Sequence, residues 1–73
     1  MAGNIETYHE DGQWKNRRQG NKRASSVHDT KAEAQPKGRD MAKDRGVEHI
    51  IKKKDGTIGE RNSYGNDPHP PKG

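Results

Sequence analysis

Val47-Glu48-His49-Ile50-Ile51-Lys52-Lys53-Lys54-Asp55-Gly56-Thr57-Ile58-Gly59-Glu60-Arg61 is the stretch that decides the fold of this 73-residue chain. Side chains alternate across a strand, so the adjacent Ile50 and Ile51 put one isoleucine on each face. That pattern predicts an interior strand over residues 47–53. Asp55-Gly56 supplies a tight turn, and residues 57–61 return as an edge strand carrying Ile58. A lone hairpin is marginal in water and needs more strands or a helix to pack on.

Both are legible upstream. Thr30 with Glu33 three residues later is a capping box, and Asp29 adds negative charge where a helix N-terminus favours it. Ala34, Gly38, Met41 and Ala42 form a stripe of mostly small residues at helical spacing, Arg45 follows, and Gly46 is a natural stop. Pro36 is discordant: either the helix kinks there, or its regular part begins with Pro36 in the first position. Further upstream, residues 5–9, 14–18 and 23–28 read as three strands. Asp11-Gly12 and Gln19-Gly20-Asn21 are the turns between them. On the third strand Ser25 and Val27 share one face, Ala24, Ser26 and His28 the other.

The fold expected is α+β: one small domain over residues 1–73, with a three-stranded antiparallel meander, one helix and a C-terminal β-hairpin that completes the sheet. Residues 62–73 are rich in Pro and Gly and are expected as an extended tail. The helix covers one face of the sheet, with Met41 and Ala42 against Trp14, Val27 and an isoleucine of the fourth strand. Lys15 and Arg17 then lie on the open face, joined by Ser26 and His28.

Composition bounds what such a domain can do. Only 22% of residues are hydrophobic and 36% are charged, with a mean hydropathy of −1.65. Those values lean toward disorder, but the cap, the turns and the Ile50-Ile51 strand agree on one structure, as folded sequences do. A core this thin calls for very efficient packing or a homo-oligomer. The chain has no cysteine, which excludes disulfides and a thiol catalyst. No apolar run has the length of a secretory leader or a membrane span, so the expected location is cytoplasmic. The net charge of +4 is spread along the chain, with two local clusters, Lys15 to Arg23 and Lys52-Lys53-Lys54.

The run Arg23-Ala24-Ser25-Ser26-Val27-His28-Asp29-Thr30-Lys31-Ala32-Glu33-Ala34 is followed by Gly38-Arg39, Ala42-Lys43, Val47-Glu48-His49 and Lys54-Asp55-Gly56-Thr57-Ile58. Then come Arg61-Asn62-Ser63-Tyr64-Gly65-Asn66-Asp67-Pro68 and Pro70-Pro71-Lys72-Gly73. Together these resemble a small bacterial family catalogued only as a domain of unknown function, DUF2188. The resemblance covers roughly residues 12–73 and implies a bacterial α+β domain. It lends no activity and no catalytic residue. The chain departs from the family's pattern at Glu10 and Asp11 and at Pro36.

Several constellations invite chemistry and fall short of it. Ser26 and His28 share a strand face, but Asp29 is badly placed to orient the ring and no oxyanion loop accompanies them. His9, His28, His49 and His69 lie about twenty residues apart, without the short spacing of zinc motifs, so no metal or other cofactor is expected. No phosphate-cradling glycine pattern is present, and Pro-His-Pro-Pro is too short to define a polyproline ligand. The basic residues remain: Lys15, Arg17, Arg23, Lys52, Lys53 and Lys54 are the candidate binding residues. The expectation is a non-enzymatic interaction module that binds another protein through the open sheet face. The alternatives are weak, sequence-independent binding to a nucleic-acid phosphate backbone and a hydrophilic, glycine-rich stress protectant.

Overall fold

In the computed structural model, which describes residues 3–64, the elements run β1 (Ile5–Glu10), β2 (Gln13–Arg18), β3 (Ser26–His28), α1 (Lys31–Arg45), β4 (Glu48–Lys52) and β5 (Ile58–Ser63). They form a small α+β domain: one helix against a five-stranded mixed sheet of order β3-β2-β1-β4-β5. Asp11 and Gly12 both take positive φ, 54° and 76°. A turn with two such residues matches the right-handed twist of the strands it joins. It sets the β1–β2 register, with Glu10 opposite Gln13 and Ile5 opposite Arg18. β4 lies parallel to β1, Thr7 beside Ile51, because the helix carries the chain back across the sheet before β4 starts. Asp55 closes the β4–β5 turn, its Oδ1 accepting from the Thr57 amide at 3.0 Å and hydroxyl at 2.7 Å.

The helix starts and stops where its caps require. Thr30 Oγ1 accepts from the Glu33 amide at 3.2 Å, and Gly46 takes the left-handed C-cap conformation. Pro36 lies inside the regular helix, its sixth residue. A proline there leaves the carbonyl one turn earlier, at Ala32, without a helical donor. Ala34, Gly38 and Ala42, four residues apart, are the buried stripe of the helix, while Met41 is only half-buried. Small side chains let helix and sheet approach closely. Against them lie Ile5, Ile51 and Trp14.

Three expectations are corrected. The third strand is three residues long rather than six, and its faces are reversed. Ser26 and His28 pair with Asn16 and Trp14, which face the helix, and Val27 pairs with Lys15. Val27 is therefore on the open face and 50% exposed. The buried partners of the helix at that position are polar, so a lone apolar residue did not set the face. β5 extends through Asn62 and Ser63, which were expected in the tail. The remainder of that tail, with His69 and the proline cluster, lies outside the described residues.

Candidate functional site

Each face of the sheet holds a different arrangement. On the open face, cross-strand partners place Arg17, Glu6, Ile50 and Arg61 in one row over β2, β1, β4 and β5. Beside it run Val27, Lys15 and Tyr8, and Lys52 has Ile58 as its partner on β5. Each strand cation of this face has a carboxylate. Lys15 Nζ is 3.0 Å from Glu10, and Arg61 is 3.6 Å from Glu48. Arg17 and Lys52 share Glu6, at 3.5 and 2.9 Å from Oε1. Arg17 also stacks 4.6 Å over the Tyr8 ring. Glu6 is 5% exposed. Burial by itself would raise its carboxyl, but the Lys52 ammonium, the Arg17 guanidinium and the Gln19 side chain outweigh it and hold the group below its ordinary value.

Three of the six candidate cations thus converge on this face: Lys15, Arg17 and Lys52. The other three do not join them. Arg23 is exposed in the β2–β3 connection, and Lys53 and Lys54 are exposed after β4. The register puts these toward opposite ends of the sheet, since β2 ends beside the start of β1 while β4 runs parallel to β1, away from that start.

The helix face conceals a chain of polar groups that the alternation of apolar residues did not foreshadow. Asn16, Thr7 and His49 are all at most 1% exposed. Asn16 Nδ2 donates to the Ala34 carbonyl of the helix at 2.9 Å and to Ser26 Oγ at 3.1 Å. Its Oδ1 is therefore turned to Thr7, whose hydroxyl donates to it at 2.5 Å. Thr7 has one proton to give, so His49 Nε2, 2.6 Å from the same oxygen, must be the donor in that contact. The buried imidazole is thereby fixed as the Nε2–H tautomer. Its Nδ1 carries a lone pair and has no hydrogen-bond partner among the described residues. Burial pushes the ring below its ordinary pKa, Arg39 pushes the same way and Glu60 opposes them, so His49 is neutral near pH 7. The Gly38 position explains the close fit: a Cβ built there would lie 2.5 Å from Asn16 Oδ1 and 2.6 Å from both His49 Nε2 and Thr7 Oγ1.

His49 is also part of the wall of a cavity of about 460 Å³ between α1 and the β4–β5 hairpin, with Pro36 and Arg39 on the helix side and Glu60, Asn62 and Tyr64 on the strand side. Among the described residues the other histidines are engaged elsewhere: His9 meets the Trp14 edge at 5.1 Å, and His28 Nε2 is 3.0 Å from Ser26 Oγ. Among the described residues no three His, Asp or Glu side chains are grouped to hold a metal ion, and no helix is long and apolar enough to cross a membrane.

Residues 5–64 match the model of a family described as "Uncharacterized protein conserved in bacteria (DUF2188)". Neither a curated protein nor a solved structure matches the chain.

Proposed function

The chain belongs to the DUF2188 family, and from that premise and the chemistry of the open sheet face we propose that it is a non-enzymatic module that docks another protein there. The observation that carries this reading is the mixed row on the face that α1 leaves uncovered. Apolar Val27 and Ile58, each 50% exposed, lie at the two edge strands, with Lys15, Tyr8 and Lys52 between them. Apolar and aromatic groups among ordered cations are what protein interfaces use. The ordering is built in, because the buried Glu6 holds both Arg17 and Lys52 in place before any partner arrives. The partner is a surface that presents apolar groups together with carboxylates.

The same ion pairs argue against a phosphate backbone as the main partner. The strand residues of this face carry four cations, Lys15, Arg17, Lys52 and Arg61, against three carboxylates, Glu6, Glu10 and Glu48. A nearly neutral field gives little of the counterion release that drives non-specific nucleic-acid binding. The test is crosslinking in a lysate of bacteria that carry this protein, comparing wild type with a Val27→Glu, Ile58→Glu variant and a Glu60→Gln control on the other face. One partner held by wild type and control but lost by the double variant is expected. A partner retained by the double variant would refute this use of the face.

A further inference from the structure

Among the described residues the sheet has two edges, and they differ. β3 is three residues long, and a short edge resists further pairing. β5 runs for six residues, five of them exposed, with neither a lysine nor a proline, the residues that commonly blunt such an edge. α1 packs on β1, β2, β3 and β4 but not on β5. The direction of its backbone groups follows from the ladder. The Tyr64 amide donates to the Val47 carbonyl at 3.3 Å. Hydrogen-bonded and non-hydrogen-bonded pairs alternate along an antiparallel ladder. Asn62 opposite His49 and Glu60 opposite Ile51 therefore turn their backbone groups to β4. Arg61 and Ser63 turn theirs outward, where no partner lies among the described residues.

We propose that β5 pairs antiparallel with β5 of a second copy of this chain, about a two-fold axis at Asn62. In that register Arg61 lies opposite Ser63 of the second copy, and Ser63 opposite its Arg61. Each of these two pairs exchanges two backbone hydrogen bonds, so the outward groups of both residues are satisfied. On the helix side the two Asn62 amides meet, and an amide both donates and accepts. On the open side Arg61 keeps Glu48, 3.6 Å away, and faces a serine hydroxyl. Charge selects this register. An axis at Glu60 would oppose two carboxylates and an axis at Arg61 two guanidiniums, and like charges directly opposite are destabilising. An axis at Ser63 would carry Arg61 past the end of the partner strand. The pairing joins two five-stranded sheets into one and leaves both open faces clear. A chain this small gains by it, since small domains with thin cores commonly rely on oligomerisation.

The test is sedimentation of the full chain from micromolar to millimolar concentration, because one strand pair makes a small interface. The mass is expected to rise from 8.2 kDa toward twice that value, with concentration-dependent shifts of the Arg61 and Ser63 amides in NMR spectra. Ser63→Pro removes an outward N–H and spares the β4 ladder; it should weaken self-association about tenfold or more. The chain has no cysteine, so Asn62→Cys places a single thiol at the axis. Its Cα lies about 4.5 Å from its mate, within disulfide reach, and oxidation should give a covalent dimer. Glu60→Cys, roughly 13 Å from its mate in this register, should not crosslink. A monomer at every concentration would overturn the proposal. So would crosslinking of Glu60→Cys as fast as Asn62→Cys, or undiminished self-association of Ser63→Pro.

Discussion

Gly38→Ala should destabilise the domain, although the same exchange in an ordinary helix interior stabilises by about 1 kcal/mol. The new Cβ would meet Asn16 Oδ1 at 2.5 Å, His49 Nε2 at 2.6 Å and Thr7 Oγ1 at 2.6 Å. Those three atoms are the acceptor, donor and relay of one buried network, and none can retreat into solvent. Forcing an extra carbon into a close-packed site costs about 1–3 kcal/mol. Stretching or breaking hydrogen bonds of buried groups costs about 1–3 kcal/mol more. After subtracting the helix-propensity gain, the net loss is about 1–5 kcal/mol. A chain of this length has roughly 4–10 kcal/mol in total, so the effect is a large fraction of it. Urea unfolding followed by the fluorescence of Trp14, the only tryptophan, measures it directly. A Thr7→Ala background removes one of the three obstacles, so the double variant should lose less than the sum of the single losses. A Gly38→Ala protein as stable as wild type, or more so, would refute the close approach of helix and sheet.

Three further outcomes follow from the same contacts. Trp14, buried between β2 and the helix with Lys31 above its ring, should cost about 3–5 kcal/mol on truncation to Ala, leaving little or no cooperative thermal transition by circular dichroism. Glu6→Gln strands Arg17 and Lys52, both part-exposed, and should lower stability at neutral pH by about 1–2 kcal/mol in urea titrations. A pH series should then show two acid-sensitive windows. His49 has a folded pKa below its unfolded one, so its contribution is complete above the unfolded value of about 6.5 and is lost as pH falls through the folded value. Glu6, likewise depressed, contributes fully above the ordinary carboxylate range and loses that contribution as pH falls through its lowered pKa. Glu6→Gln should flatten the lower window and leave the upper one. A wild-type stability flat from pH 7 to pH 3 would contradict both assignments.

Much of the architecture was legible because local signals carried it. Thr30 and Gly46 marked the helix ends, Asp11-Gly12 and Asp55-Gly56 marked two turns, and Ile50-Ile51 marked an interior strand. What was not legible depended on groups distant in sequence. The face of β3 was set by Asn16, whose amide reaches both Ser26 and the Ala34 carbonyl, and not by Val27. The parallel β1–β4 seam depends on the crossover of the helix, which no local motif encodes. Of the candidate site, the alternation of Lys15 and Arg17 opposite Trp14 gave the open face, but not the carboxylates that match its cations. The buried polar chain was hidden because Thr7, Asn16 and His49 look like surface residues in isolation. The signal that pointed to it was Gly38 in the small-residue stripe, a position where something on the sheet must come close.

The claim that the open face is a protein-docking surface, with its cations already engaged, is tested most directly by fluorescence anisotropy against random duplex DNA across a salt series, with a Lys15→Glu, Arg17→Glu variant alongside. Each phosphate neutralised adds about 0.9 to the slope of log affinity against log salt. Ion pairs at Glu6 and Glu10 leave room for only one or two such contacts, so the expected slope is at most about 2 and binding disappears at physiological salt. A slope of about 4 or more, abolished by the double charge reversal, would show that phosphate displaces these carboxylates and that the face is a nucleic-acid surface.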